Sequence, residues 1–340
     1  MTKPMSMNMS EITRLMRAGQ LTEATRMIQT GLGGSSLPQM PQMPQMGQMP
    51  QMPHQGRATP AIPEGARWTM GQHAAAGQAR QYRLYVPASA ADGAEGLLLL
   101  LHGCTQDPDD FARGTAILAA AEARRMIVVL PAQTAQSNMN KCWNWFEPRH
   151  AATDGGEAAF LTDLTRTLAH DHAIAPDRRF AAGLSAGGAM AVILGAVFAD
   201  DFGAVACHSG LPNGAASDMG SAFAAMSQGG RDGGAGVGCR LLILHGSADG
   251  TVSPRNADAV LSQALRRQPG LTRRAADARL AGHEVRIGRH RDATGTLRIE
   301  DWRIAGLGHA WSGGAPEGSH TAPGPSATDA MMRFFLDGAD

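Results

Sequence analysis

Ser185 stands in Gly183-Leu184-Ser185-Ala186-Gly187, just after the apolar residues 180–182 and before a run, Gly188-Ala189-Met190-Ala191-Val192-Ile193-Leu194, that reads as a helix. A serine on a sharp strand-to-helix turn projects its hydroxyl toward a substrate, and small neighbours let strand and helix approach. A neutral hydroxyl is a poor nucleophile. Such a site needs an imidazole to take its proton and a carboxylate to hold that imidazole in one tautomer. His309, in Gly306-Leu307-Gly308-His309-Ala310, is the candidate base: one of 12 histidines, but set among glycines and after the last expected strand. Asp249, in His245-Gly246-Ser247-Ala248-Asp249-Gly250, is the candidate carboxylate. Its rival, Asp258, falls inside an expected helix, whereas Asp249 follows the end of an expected strand, where catalytic groups gather in open α/β sheets. The chemistry open to this trio is acyl transfer through an acyl-serine.

Acyl transfer also needs two N–H donors aimed at the developing oxyanion, commonly the residue after the nucleophile and one from a loop after an earlier strand. Ala186 supplies the first. The second is expected from His102-Gly103-Cys104-Thr105-Gln106, with the N–H of Cys104 as the choice and that of Thr105 as the alternative. Three aromatic residues crowd into Cys142-Trp143-Asn144-Trp145-Phe146, in a chain only 5% aromatic, and Trp311 follows the candidate base. Thr105, Trp143, Asn144, Trp145 and Trp311 are therefore the candidates for substrate contact, against the alternative that these tryptophans pack beneath the loops.

The elements that must carry these residues follow from the hydrophobic pattern. Residues 82–86 alternate like an early antiparallel strand, and 96–101 read as a central parallel one. Further strands are expected at 126–130, 180–182, 203–206, 241–244 and 297–304. Helical stretches at 110–124, 157–171, 187–198 and 255–267 separate them, and 326–336 close the chain. Strict alternation predicts a mostly parallel sheet flanked by helices, and Ser, Asp, His in this order is the arrangement of an α/β-hydrolase. The glycine-rich residues 211–240 interrupt the rhythm and read as a cap or a surface loop.

This α/β domain is expected over 66–340. Before it, residues 1–30 carry apolar positions three, four or seven apart and read as an amphipathic helix or helical hairpin, a surface for self-association. Residues 31–65 form a linker rich in Pro, Gln and Met. Its Met40, Met43, Met46, Met49 and Met52 would line one face of a polyproline II helix. With Lys+Arg and Asp+Glu both at 30, nothing favours nucleic acid or an anionic surface. No apolar run approaches the roughly 20 residues of a membrane span. The four cysteines, 104, 142, 207 and 239, are too scattered for a zinc site, and no metal is expected. They read mostly as buried thiols, and a Cys104–Cys142 bridge is a hypothesis because both flank the expected active-site loops.

From about 80 to 337 the chain resembles the polyhydroxybutyrate depolymerase-like esterases. The resemblance is carried by His102-Gly103-Cys104-Thr105-Gln106, Cys142-Trp143-Asn144-Trp145-Phe146, Ala182-Gly183-Leu184-Ser185-Ala186-Gly187-Gly188-Ala189-Met190, His208-Ser209-Gly210, His245-Gly246-Ser247-Ala248-Asp249 and Gly308-His309-Ala310-Trp311-Ser312-Gly313-Gly314. It implies a serine carboxylesterase without metal or organic cofactor, with Ser185, Asp249 and His309 as its triad. The substrates it implies are short-chain hydroxyalkanoate esters, as oligomer or polymer surface. The family is similar to feruloyl and acetylxylan esterases, which makes a carbohydrate esterase the second reading. A non-catalytic binding or scaffold protein working through the Met/Pro arm is the third. Relatives are typically secreted, yet no signal peptide is recognisable ahead of Glu11 and Arg14, so extracellular and cytoplasmic locations both stand.

Overall fold

The five leucines of β3 (Gly96–Leu101) are fully buried on both faces of the sheet, the signature of a central parallel strand. The computed structural model describes residues 59–337; the amphipathic segment at 1–30 and the linker up to residue 58 lie outside the described residues. Because successive side chains point to opposite faces, Leu97, Leu99 and Leu101 enter one core and Leu98 and Leu100 the other. Each contributes roughly 2 kcal/mol of apolar transfer to the layer it enters.

Around β3 lie β4 (Met126–Pro131), β5 (Arg179–Leu184), β6 (Ala204–His208), β7 (Arg240–Gly246) and β10 (Leu297–Ile304), all parallel. The hairpin β1 (Arg67–Ala75) and β2 (Gln78–Val86) joins antiparallel at one side, and β8 (Thr272–Leu280) with β9 (His283–Arg291) at the other. Among the described residues this gives one ten-stranded sheet, ordered β1-β2-β4-β3-β5-β6-β7-β10-β9-β8. Helices α3 (Gly156–Asp171), α4 (Ala186–Val197), α5 (Met219–Gln228) and α6 (Arg255–Arg267) supply side chains to the first core. Helices α1 (Pro108–Thr115), α2 (Ile117–Ala123) and α7 (Ala327–Leu336) supply the second. The fold is that of an α/β-hydrolase.

Three departures from the expected elements have physical causes. The helix expected at 110–124 is two, because the carbonyl of Thr115 is taken by the Thr328 hydroxyl at 2.6 Å and Ala116 turns to φ 51°. Strict strand–helix alternation fails at β8 and β9. In β8, Thr272-Arg273-Arg274-Ala275-Ala276-Asp277-Ala278-Arg279-Leu280 is largely exposed and lacks apolar alternation; pairing with β9 through a turn at Ala281 and Gly282, both at positive φ, makes it a strand. Within residues 211–240 the chain forms α5, started by a capping box in which Asp218 accepts from the Ser221 N–H at 2.8 Å.

Candidate active site

Ser185 joins β5 to α4 at φ 58° and ψ −119°, a backbone conformation strained for any residue with a side chain. Its neighbours must be glycine because the turn is this tight. A Cβ on Gly183 would come 2.4 Å from the carbonyl carbon of Gly187, and one on Gly187 would come 2.1 Å from the Leu101 oxygen. Ala186 is the first residue of α4, so its N–H has no intrahelical acceptor and is free for a ligand.

Asp249 and His309 meet directly: Asp249 Oδ2 lies 2.8 Å from His309 Nδ1. A carboxylate only accepts, so the imidazole proton sits on Nδ1 and Nε2 keeps its lone pair. The other oxygen of Asp249 accepts from the backbone N–H groups of Thr251 and Val252 at 3.0 and 2.8 Å. Burial by itself would raise the Asp249 pKa. Hydrogen bonds from His245, His309 and the Val252 N–H outweigh it and hold the group well below the usual carboxylate range. The two loops are stitched together by the Ser247 N–H to Ile304 O at 2.9 Å, the Ala248 N–H to Leu307 O at 3.1 Å and the Gly306 N–H to Ser247 Oγ at 3.0 Å. Asp258 is elsewhere: it is exposed on α6 and paired with Arg303 at 2.9 Å.

Ser185 and Asp249 follow β5 and β7, which flank β6, so they leave the same edge two strand spacings, about 10 Å, apart. His208, the last residue of β6, spans the gap. Its carbonyl accepts the Ser185 N–H at 2.9 Å, and its ring Nε2 accepts the Ser312 N–H at 3.1 Å, three residues past His309.

The turn after β3 separates the two oxyanion candidates. The Thr105 N–H is spent on Asn140 O at 2.6 Å, whereas the Cys104 N–H meets no acceptor among the described residues. Cys104 is bridged to Cys142, while Cys207 and Cys239 are buried free thiols, both pushed up to about 12 by burial and therefore unreactive. Beneath the bridge, Glu157 is fully buried and accepts from Arg80 Nη2 at 2.8 Å, Gln133 Nε2 at 2.6 Å and the Asn144 backbone N–H at 2.7 Å.

That packing decides the aromatic cluster. Trp143, Asn144, Trp145 and Trp311 are all buried, at 0, 3, 7 and 2% exposure. The Trp143 indole donates to His102 O at 3.1 Å, Asn144 Nδ2 to Glu157 at 2.9 Å, and the Trp311 indole to Thr328 at 3.0 Å. These side chains pack into the loops and are held there by hydrogen bonds to the protein. Of the five residues expected to touch substrate, only Thr105 is exposed. His208, His245, Gln133 and Glu157 escaped functional assignment. The clue for the histidines was their position at the ends of strand-forming runs; Glu157 and Gln133 carried no local signal. Among the described residues there is no cluster of three or more His, Cys, Asp or Glu able to hold a metal, and no helix is long and apolar enough to cross a membrane.

The family model described as "Esterase PHB depolymerase" matches residues 80–288. A poly(3-hydroxyalkanoate) depolymerase C from Paucimonas lemoignei is 32% identical over 230 residues, covering 63% of this chain and 54% of that protein. A poly(3-hydroxybutyrate) depolymerase from Ralstonia pickettii is 26% identical over 260 residues, covering 68% and 51%. The chain thus spans about half the length of these curated relatives. A probable acetylxylan esterase A from Aspergillus clavatus is 25% identical over 194 residues, covering 51% and 61%. Among solved structures, the acetyl xylan esterase from Aspergillus awamori superposes with a TM-score of 0.58 at 17% identity, covering 78% of this chain and 98% of that one, a likeness of fold. With the family model spanning more than half of the sequence, the chain belongs to the esterase PHB depolymerase family, and its fold is that of an α/β-hydrolase.

Proposed function

We propose that this chain is a serine esterase in which Ser185, His309 and Asp249 form the catalytic triad and the N–H groups of Cys104 and Ala186 the oxyanion hole. The observation that carries the reading is the 2.8 Å Asp249–His309 pair, which leaves Nε2 as the proton acceptor on an edge shared with a serine held at φ 58°. In the first half-reaction Ser185 Oγ bonds to the ester carbonyl carbon while its proton passes to His309 Nε2. The oxyanion draws on the two N–H groups, and collapse expels the alcohol, which takes the proton back from His309. Water, deprotonated by His309, then attacks the acyl-serine and releases the acid and the free hydroxyl of Ser185.

The substrate reading is a short-chain hydroxyalkanoate ester, as oligomer or polymer surface. Trp143, Trp145 and Trp311, all three buried, leave no stacking platform for a sugar or an aryl ring at these loops, whereas Met139, 80% exposed, stands beside Asn140, whose carbonyl holds the Thr105 N–H. An aliphatic thioether there suits an aliphatic chain. The depolymerase relatives point the same way, and the acetylxylan and feruloyl esterase relatives define the competing substrates.

Hydrolysis of p-nitrophenyl butyrate by the wild type and not by Ser185→Ala, with a phosphonate adduct on Ser185, tests the triad. Hydroxybutyrate trimer, acetylated xylan and methyl ferulate compared side by side test the substrate; preference for either of the last two overturns the hydroxyalkanoate reading.

A further inference from the structure

We infer that His208 is a positioning residue of this site, a neutral imidazole strut whose backbone holds the nucleophile turn and whose ring holds the loop of the base. The inference rests on the triad reading above. His208 is 1% exposed and closes β6 between β5 and β7, opposite Leu184 on one side and Leu244 on the other. Its carbonyl accepts the Ser185 N–H at 2.9 Å, and α4 packs against it so closely that a Cβ on Gly188 would come 2.9 Å from that oxygen. Its ring stacks on Trp311, 5.2 Å between centroids and 27° between planes, and accepts the Ser312 N–H. One residue, through its backbone on one side and its ring on the other, therefore ties together two loops more than 120 residues apart in sequence whose mutual placement sets the distance from hydroxyl to imidazole.

The partners fix the ring's chemical state. The Ser312 N–H can only donate, so Nε2 is a lone pair and the proton is on Nδ1, directed at Ser209 Oγ, 3.2 Å away. A second proton would set N–H against N–H at Ser312 and break the tie. Burial, together with His245 and His309 nearby, pushes the His208 pKa down to about 3, with Asp249 acting weakly in the opposite sense. In the proposed mechanism His309 thus gains and loses a proton beside an imidazole that does neither.

Glutamine and asparagine separate positioning from bulk. The Oε1 of glutamine can stand where Nε2 does and accept from Ser312; asparagine is too short. His208→Asn is expected to lower kcat roughly 10- to 100-fold, with KM on soluble ester within about threefold of wild type and proportionally slower phosphonate labelling of Ser185. His208→Gln should recover most of the loss at a similar melting temperature. Turnover of His208→Asn within about twofold of wild type, or equal losses in both variants, overturns the inference. Should neither variant fold, nitrogen NMR of wild-type enzyme decides: the His208 ring should stay in its Nδ1–H form from pH 5 to 9, and protonation or the opposite tautomer overturns it. A Ser185→Ala enzyme that kept its activity would instead remove the triad reading, a separate result.

Discussion

Opening the Cys104–Cys142 bridge should cost both stability and turnover, by amounts that the structure sets apart. The bridge closes a sequence separation of 38 residues. In the chain-entropy account a loop of this length restrains the unfolded state by about 4 kcal/mol. At about 2.1 cal/mol/K per residue over residues 59–337, the unfolding entropy is near 0.6 kcal/mol/K, so the melting temperature should fall by about 7 °C. Folding should survive, because the bridged loops keep other ties: the Thr105 N–H to Asn140 O, Gln133 Nε2 to Cys142 O at 2.9 Å and the Trp143 indole to His102 O. Turnover reports on a different atom. Loss of a whole oxyanion donor costs about 10²- to 10³-fold in kcat, so a loosened Cys104 N–H should cost a part of that, on the order of 10-fold, with KM little changed. Both sulfurs belong to half-buried residues within reach of a small reductant. Calorimetry and steady-state kinetics of the wild type with and without a phosphine reductant, and of the Cys104→Ser, Cys142→Ser double variant, measure the two effects. An unchanged melting temperature after complete reduction refutes the stability argument. A lowered melting temperature with full kcat refutes the assignment of Cys104 as donor and leaves the bridge as a fastener alone.

Two other perturbations probe the charges of the site. Asp249→Asn keeps an acceptor for the Thr251 and Val252 N–H groups but turns an NH₂ toward His309 Nδ1. Turnover should fall on the order of 10⁴-fold with the fold intact by circular dichroism, and full turnover would show that another carboxylate orients the base. Stability should also fall as pH drops below the ordinary histidine range. Burial pushes His102 down to about 4 and His208 to about 3, so between pH 6.5 and 5 the unfolded chain takes up protons that the folded one does not. Each imidazole then costs about 2 kcal/mol over that window, about 4 kcal/mol together, readable as a loss of urea-unfolding free energy from pH 7 to pH 5; a flat profile would mean that these rings protonate in the folded state.

The parts of this molecule legible from sequence were those where one local rule decides the outcome. The runs at 96–101 and 126–130 read as strands because a parallel strand covered on both faces needs no alternation. The turn at Ser185 was legible because tight geometry demands Gly183 and Gly187, and the Cβ contacts at those positions show why. Illegible parts depended on partners remote in the chain. The strand β8 contains Arg-Arg-Ala-Ala-Asp-Ala-Arg, good helix material on propensity, and becomes a strand only by pairing with β9. The tryptophans at 143, 145 and 311 looked equally suited to a rim or a core, since an indole carries a polar handle either way. What buries Trp143 and Asn144 is the His102 carbonyl and the Glu157 carboxylate, and neither relation has a sequence signal.

The sheet's catalytic edge shows why histidine recurs there. A strand's hydrogen-bond ladder ends where the loops that must carry chemistry begin, and those loops leave backbone groups in need of partners inside a dry core. A neutral imidazole offers one donor and one acceptor on a rigid ring. Just past β3, His102 directs Nδ1 at Gly103 O, 2.7 Å away, and accepts the Gln133 N–H on Nε2 at 3.1 Å. At the end of β6, His208 does the same for Ser209 Oγ and the Ser312 N–H. In β7, His245 directs Nε2 at Val252 O, 2.9 Å away, and lies 3.4 Å from Asp249. Each is 1% exposed, and each fastens the loop that holds a different part of the proposed site: the oxyanion turn, the base and the carboxylate. His309 differs in being the least buried of the four, at 14% side-chain exposure, with Asp249 Oδ2 2.8 Å from its Nδ1, and that arrangement suits the proposed role of carrying a proton.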